Sequence, residues 1–227
     1  MNQPGLTDGK KRIGLFGGAF DPPHNAHVAL AHIACQSLEL DALHVIPTGQ
    51  AWHKSRALSA PEHRLAMARL AFAELPRVVV DDREINRAGP TFTIDTLRAL
   101  EAENPSAQLY LVMGADQWAA FEQWREWQAI LKLAIICVAA RASYAWARGT
   151  NEPDNATNIG SNTGLNTGLN TCVNARPVIL DMPQMPISAT QIRQFIASEL
   201  GENPALPDLL PASVASYISK HNLYQRA

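Results

Sequence analysis

Short, almost continuously apolar runs alternate with helical patterns along most of this chain, and that alternation constrains the fold more than any other feature. The runs occupy residues 12–16, 42–47, 77–80, 108–113 and 133–139, with a further one at 177–180. A strand that is apolar on both faces must be covered on both faces, which is the condition of a parallel sheet with helical crossovers. Helical spacing fills the intervals, over Val28 to Leu38, Ser59 to about Leu75, Thr93 to Glu103 and Ala119 to Leu131. The expected class is therefore α/β: a doubly wound parallel sheet with helices on both faces. A C-terminal helical segment ends in a helix over Ala212 to His221. With 227 residues, 47% of them hydrophobic and 18% charged, the chain suits one domain spanning 1–227. In such sheets ligands bind at the carboxyl ends of the strands.

The first strand hands over to the first helix through Gly17-Gly18-Ala19-Phe20-Asp21-Pro22-Pro23-His24-Asn25-Ala26-His27. Gly17 and Gly18 let the main chain turn sharply and let a phosphate approach it closely. Pro22 and Pro23 stiffen the descent into the helix. His24 and His27 are three apart, which on a first helical turn puts both rings on one face, beside free N–H groups and the positive end of the helix dipole. The junction reads as an anion site. The same two rings, with Asp21 as a third ligand, could instead hold a transition metal, although the glycines have no role in such a site and no H-E-x-x-H accompanies them.

Two further helix starts carry capping signals. Ser59 precedes Glu62 by three residues with Pro61 between them, and Ser188 precedes Gln191 in the same way. Between about residues 142 and 176 the pattern breaks. This stretch is rich in Asn, Thr and Gly, and Thr163-Gly164-Leu165-Asn166 recurs as Thr167-Gly168-Leu169-Asn170. A repeat of that length cannot bury a face, so the segment reads as a low-complexity insertion.

Charge and cysteine usage exclude several classes. A net charge of −2 gives no electrostatic footprint for a nucleic-acid backbone. Cys35, Cys137 and Cys172 are odd in number and show no C-x-x-C pairing, which suits reduced thiols. The N-terminal residues lack the apolar core of a signal peptide, and the apolar run from Leu133 is too short to span a bilayer, so the expectation is a cytoplasmic protein with no membrane partner. Homo-oligomerisation is left open by the sequence.

The Gly17–His27 stretch resembles the signature of the nucleotidyltransferase superfamily with a His-x-Gly-His motif, with Ala26 where that family has Gly. The extra methyl is expected to narrow the approach to a bound nucleotide. Ile187-Ser188-Ala189-Thr190-Gln191-Ile192-Arg193 resembles the superfamily's second motif, ISxTxxR. The resemblance implies a Rossmann-like sheet and an ATP site formed by Gly17, Gly18, Ala19, Phe20, His24, His27, Ser188, Thr190 and Arg193. His24, His27 and Arg193 would act in catalysis on the triphosphate. Mg²⁺ would travel with ATP, held by phosphates and water and not by protein ligands.

Within the superfamily, three segments resemble bacterial nicotinate-nucleotide adenylyltransferases: Thr91-Phe92-Thr93-Ile94-Asp95-Thr96-Leu97, Gly114-Ala115-Asp116-Gln117-Trp118, and His53-Lys54. This implies adenylyl transfer from ATP to nicotinate mononucleotide, giving deamido-NAD and pyrophosphate, with Lys54, Thr93, Asp116 and Trp118 on the mononucleotide. The alternatives are another member of the superfamily, such as one acting on pantetheine phosphate or using CTP, and a non-catalytic nucleotide-binding module.

Overall fold

The computed structural model describes residues 9–49, 58–139, 177–183, 185–198 and 206–225. His53, Lys54 and the insertion at 142–176 lie outside them. Among the described residues six strands form one sheet: β1 (Arg12–Gly18), β2 (Ala42–Pro47), β3 (Val78–Val80), β4 (Gln108–Gly114), β5 (Ala134–Ala139) and β6 (Val178–Leu180). Every pairing is parallel, in the order β3-β2-β1-β4-β5-β6. The chain first builds outward from β1 to β3, then returns to the other side of β1 with β4. That reversal opens a crevice between the carboxyl ends of β1 and β4. Phe16 pairs with Val112, so Gly18 and Gly114, each two residues further on, flank the crevice at one level.

The helices are α1 (Asn25–Ser37), α2 (Pro61–Ala71), α3 (Thr93–Glu103), α4 (Ala115–Ala119), α5 (Trp127–Leu133), α6 (Ala189–Ala197), α7 (Leu206–Leu209) and α8 (Ala212–Lys220). Strand alternation divides the core into two layers. Phe16, Val45, Val112 and Cys137 point to one side, where they meet Leu30 of α1, Met67 of α2, Ile192 of α6 and Ile218 of α8. Leu15, Ile46, Leu111 and Ile136 point to the other, against Leu97 of α3 and Ile130 of α5. The doubly wound sheet covered on both faces is thus the observed architecture.

Two expected helices differ. In place of one helix over Ala119 to Leu131, α4 begins at Ala115, a 3-10 turn follows at Phe121–Gln123, and α5 starts at Trp127. The break is made by packing. Phe121 is 1% exposed and gathers Trp118, Trp124 and Trp127 around its ring, at centroid distances of 5.1, 5.5 and 6.3 Å. Glu126 takes a left-handed conformation (φ 52°) while Arg98 of α3 grips both its carboxylate oxygens. At α2 the expected Ser59 capping box does not form. The N-cap is Ala60, with no side-chain cap, because the Ser59 main chain is committed elsewhere, its N–H to the Asp21 carboxylate and its carbonyl to Arg64.

Beyond the end of β3, Asp81 anchors the segment that leads to α3. Its carboxylate meets His44 Nδ1 of β2 at 2.9 Å and accepts from Arg83 Nε at 2.7 Å and Arg83 N–H at 3.0 Å. Burial alone would raise this carboxyl's pKa, but the His44 and Arg83 hydrogen bonds outweigh it and hold the group down at about 2. A depressed carboxylate stabilises the fold fully above its unfolded value near 3.8, and that stability is lost as pH falls toward 2. Asp81→Asn should therefore lower the thermal midpoint by roughly 2–6 °C at pH 7. Melting curves of both proteins between pH 6 and pH 2 should show the gap closing below about pH 4.

Candidate active site

The geometry starts from the end of β1. Gly17 is exposed and Gly18 and Ala19 are half-buried, whereas Phe20 is 2% exposed and turns back into the core at φ 46°. A bulky residue in the left-handed region is held there only by its surroundings. Phe20 stands edge to face against Phe16, Phe72 and His27, at 5.5, 5.8 and 5.1 Å. Pro22, Pro23 and Asp21 are also buried.

The two imidazoles then stack, with ring centroids 3.7 Å apart and planes inclined by 21°. His24 is the N-cap of α1, in extended conformation, and not a residue of the first turn; His27 is the third helical residue. His24 N–H donates to His27 Nδ1 at 3.2 Å. In a neutral His27 that acceptor role puts the ring proton on Nε2, so the ring is a donor on the side away from the backbone. His24 is 3% exposed and His27 half-buried. Ala26, at 6% exposure, belongs to the apolar cluster with Phe16 and Leu30. The expected narrowing of the site by its methyl does not follow, since that methyl is taken up by the core.

The second motif converges on the same loop. Ser188 caps α6 by accepting from Gln191 N–H at 3.2 Å, as the sequence predicts, while its hydroxyl donates to Gln191 Oε1 at 2.9 Å. Arg193 Nη2 donates to Thr190 Oγ1 at 3.0 Å, and Nη1 to the Asp21 carbonyl at 2.6 Å. One guanidinium therefore joins α6 to the loop that carries the histidines. Two helix N-termini, two imidazoles and a guanidinium form a set of hydrogen-bond donors suited to phosphate oxygens. The donor set does not suit a transition metal with Asp21 as third ligand, because the Asp21 carboxylate accepts from Tyr224 Oη at 2.7 Å and Ser59 N–H at 3.2 Å.

Thr93, Asp116 and Trp118 reach this end of the sheet by other routes. Thr93 is the first residue of α3. Asp116 and Trp118 ride on α4 directly beyond β4. Phe121 stacks on one face of the Trp118 indole, which is itself half-buried. Glu84, 7% exposed, accepts from Thr96 Oγ1 of α3 at 2.8 Å. Burial raises its pKa, opposed by the hydrogen bond from Thr96 and by the charge of Arg87 nearby. A Cβ on Gly49 would lie 2.0 Å from the Glu84 carbonyl, so only glycine permits the β2 loop to lie against this segment.

Arg64 and Tyr224 contact the same loop, through Ala19 and Asp21, and the motifs do not reveal them. Arg64 is 2% exposed, and it donates from Nε to the Ser59 carbonyl and from Nη1 to the Ala19 carbonyl, both at 3.0 Å. Burial pulls its pKa down, while Asp21 and Tyr224 beside it pull the other way. The signal in the sequence was its place: Arg64, Met67, Ala68 and Ala71 form the buried face of α2, so an arginine occupies a core position of the helical period.

A family model described as cytidylyltransferase-like matches residues 15–195. A probable nicotinate-nucleotide adenylyltransferase of Albidiferax ferrireducens is 49% identical over 217 residues, covering 96% of this chain and 100% of that protein. One of the same description from Methylibium petroleiphilum is 36% identical, covering 95% and 93%. The chain belongs to the nicotinate-nucleotide adenylyltransferase family. Among solved structures, nicotinic acid mononucleotide adenylyltransferase of Plasmodium falciparum, complexed with APC and with NaAD, superposes with TM-score 0.70 at 18% identity. Each covers 94% of this chain and 97% of the other, a likeness that bears on the fold.

Within this family fold, Gly17 lets a requirement of folding be told apart from one of binding. A Cβ there would meet nothing closer than Leu15 Cδ2 at 3.9 Å, and its φ is not positive. The fold does not require glycine at this position. Gly17→Ala should keep the parent's thermal midpoint within about 2 °C. If a phosphate lies against this main chain, the variant should lose roughly tenfold or more in kcat/KM for ATP; an unchanged value would remove Gly17 from the site.

Proposed function

We propose that this protein transfers the adenylyl group of ATP to nicotinate mononucleotide, releasing pyrophosphate and deamido-NAD, a step of NAD biosynthesis. The observation that carries the reading is the convergence of the stacked His24–His27 pair and the Arg193 guanidinium on one loop at the β1–β4 crevice. The substrate pair follows from the family of the relatives. In this reading a phosphate oxygen of the mononucleotide attacks the α-phosphorus in line. The bond from that phosphorus to the bridging oxygen breaks, and pyrophosphate leaves. No protein nucleophile is needed, so catalysis rests on positioning and on donors aimed at the oxygens that gain charge.

His24 and His27 bind the α- and β-phosphate region, and Ser188, Thr190 and Arg193 the β- and γ-phosphates. Gly17, Gly18, Ala19 and Phe20 offer main chain to the nucleotide. Thr93 and Trp118 serve the pyridine ring, with the Trp118 face opposite Phe121 as the stacking surface, and Lys54 and Asp116 complete the mononucleotide site. The donors are imidazole, hydroxyl and guanidinium, which complement phosphate and not a hard cation. Mg²⁺ therefore accompanies the triphosphate, held by its oxygens and water, where it would neutralise charge on the departing pyrophosphate. No helix among the described residues is long and apolar enough to cross a membrane, and we place the reaction in the cytoplasm.

Pyrophosphate release on mixing ATP with nicotinate mononucleotide tests the reaction, with pantetheine phosphate as the control acceptor. His27→Ala and His24→Ala should each lower turnover on the order of 10²–10³-fold with the fold retained, as for a lost oxyanion donor. Near-normal turnover in either folded variant would break the phosphate assignment.

In this reading main-chain N–H groups at the start of α3, near Thr93, hold the nicotinate carboxylate, and the amide of nicotinamide mononucleotide would turn an NH₂ toward those donors. Loss of one charge-assisted hydrogen bond corresponds to a preference for the acid of about 10- to 150-fold. Competition kinetics with the two mononucleotides should show it, and Trp118→Ala should weaken turnover with either. Equal use of both would remove the carboxylate argument and leave adenylyl transfer standing.

A further inference from the structure

The loop Gly18–Asp21 is held from behind by groups that would not touch substrate. Arg64, on the buried face of α2, takes the Ala19 carbonyl with Nη1 and the Ser59 carbonyl with Nε. Ser59 N–H in turn donates to the Asp21 carboxylate, whose other oxygen accepts from Tyr224, three residues from the end of the chain. Arg64 and Asp21 are each 2% exposed. The arrangement closes a ring of contacts, from Ala19 through Arg64 and Ser59 to Asp21, with Tyr224 latched onto it.

The geometry has a directional consequence. In a planar trans peptide the N–H points opposite to the carbonyl. With the Ala19 carbonyl turned inward to Arg64, the N–H of Phe20 is turned the other way, from the core toward the crevice side of the loop. Without that contact the peptide could flip and offer a carbonyl oxygen to the phosphates, replacing attraction by repulsion. Asp21 is the last residue before the two prolines that lead to His24, so its fixation also sets where the imidazole pair begins.

We propose that Arg64 and Tyr224 are positioning residues for adenylyl transfer, orienting the Gly18–Asp21 main chain and the His24–His27 pair toward the phosphates. This rests on the phosphate-binding reading above. The C-terminal residues are then part of the catalytic architecture and not only a packing element.

Two variants test it, each assayed for pyrophosphate release from ATP and nicotinate mononucleotide. Tyr224→Phe removes only the hydroxyl that holds Asp21. Arg64→Lys keeps the positive charge beside Asp21 but cannot place two fixed donors on Ala19 and Ser59 together. Positioning donors matter most in the transition state, so kcat should fall roughly 10- to 100-fold while KM for ATP stays within about threefold of the parent.

Ile136→Val, a small cavity in β5 within the core layer on the other face of the sheet, serves as the structural control and should lower the melting temperature without lowering kcat. The proposal is overturned if both folded variants keep kcat within about twofold of the parent, or if kcat falls no further than in the control at a matched loss of melting temperature. Should Arg64→Lys fail to melt cooperatively, Tyr224→Phe decides alone. An inactive parent would bring down the functional reading and this proposal together, whereas a loss confined to this proposal shows as an active parent with unaffected variants.

Discussion

Arg64 carries its guanidinium into the apolar interior, where an unpaired charge would be unfavourable by several kcal/mol. It is tolerated because the surroundings return what water would have supplied. Two main-chain carbonyls accept its hydrogen bonds, and the Asp21 carboxylate lies close enough to favour its charged form. The dependence is mutual. Asp21 is as deeply buried, and it is satisfied by a phenol from the C-terminal segment and by an amide from the entrance to α2. Three parts of the chain far apart in sequence thus share one polar knot directly behind the β1–α1 handover. A polar network of this kind is stable only when every member is satisfied, which makes the loop conformation a property of the assembled fold and not of the loop's own residues.

The sheet then decides what the fixed loop faces. Because β4 returns beside β1, the loops after these two strands border one crevice, and the N-termini of α1 and α4 follow directly from them. Helix α6 comes to the same place by a different path, through the bond from Arg193 to the Asp21 carbonyl. Local donors can therefore gather around an anion in a chain whose overall charge is −2. Net charge governs encounter with extended polyanions, whereas a small triphosphate responds to the few dipoles and charges within reach.

How much of this could be read in advance differs between levels. Continuous apolar strands made the parallel sheet legible, since the need to bury both faces leaves few other solutions. The two motifs were legible because glycines, paired histidines and the Ser-Thr-Arg triplet have local spacing. What escaped was tertiary. The helix expected from Ala119 was broken by the aromatic cluster around Phe121 and by Glu126, which Arg98 holds from another helix. Ser59 looked like a cap, but its carbonyl was claimed by Arg64 and its N–H by Asp21, partners that no local pattern announces. Arg64 itself was visible only as an anomaly, a charge at a core position of a helical period, and periodicity alone does not say what satisfies it.

Gly17 and Gly49 show why a motif glycine carries two kinds of information. At Gly49 the chain has no alternative, because a Cβ would collide with the Glu84 carbonyl at 2.0 Å, and the residue is explained by folding alone. At Gly17 a Cβ would have room, so packing supplies no reason for its absence. On the proposed reading that space is left for a phosphate on the open side of the strand end, where Gly17 is exposed and where His27, with Nδ1 occupied by the His24 amide, holds its proton on Nε2 when neutral. A donor fixed in a neutral ring, a helix terminus and bare main chain act by orientation rather than by net charge. In the proposed site their effect depends on being held in place before the ligand arrives, and the buried network of Arg64, Ser59, Asp21 and Tyr224 fixes the main chain from which they project.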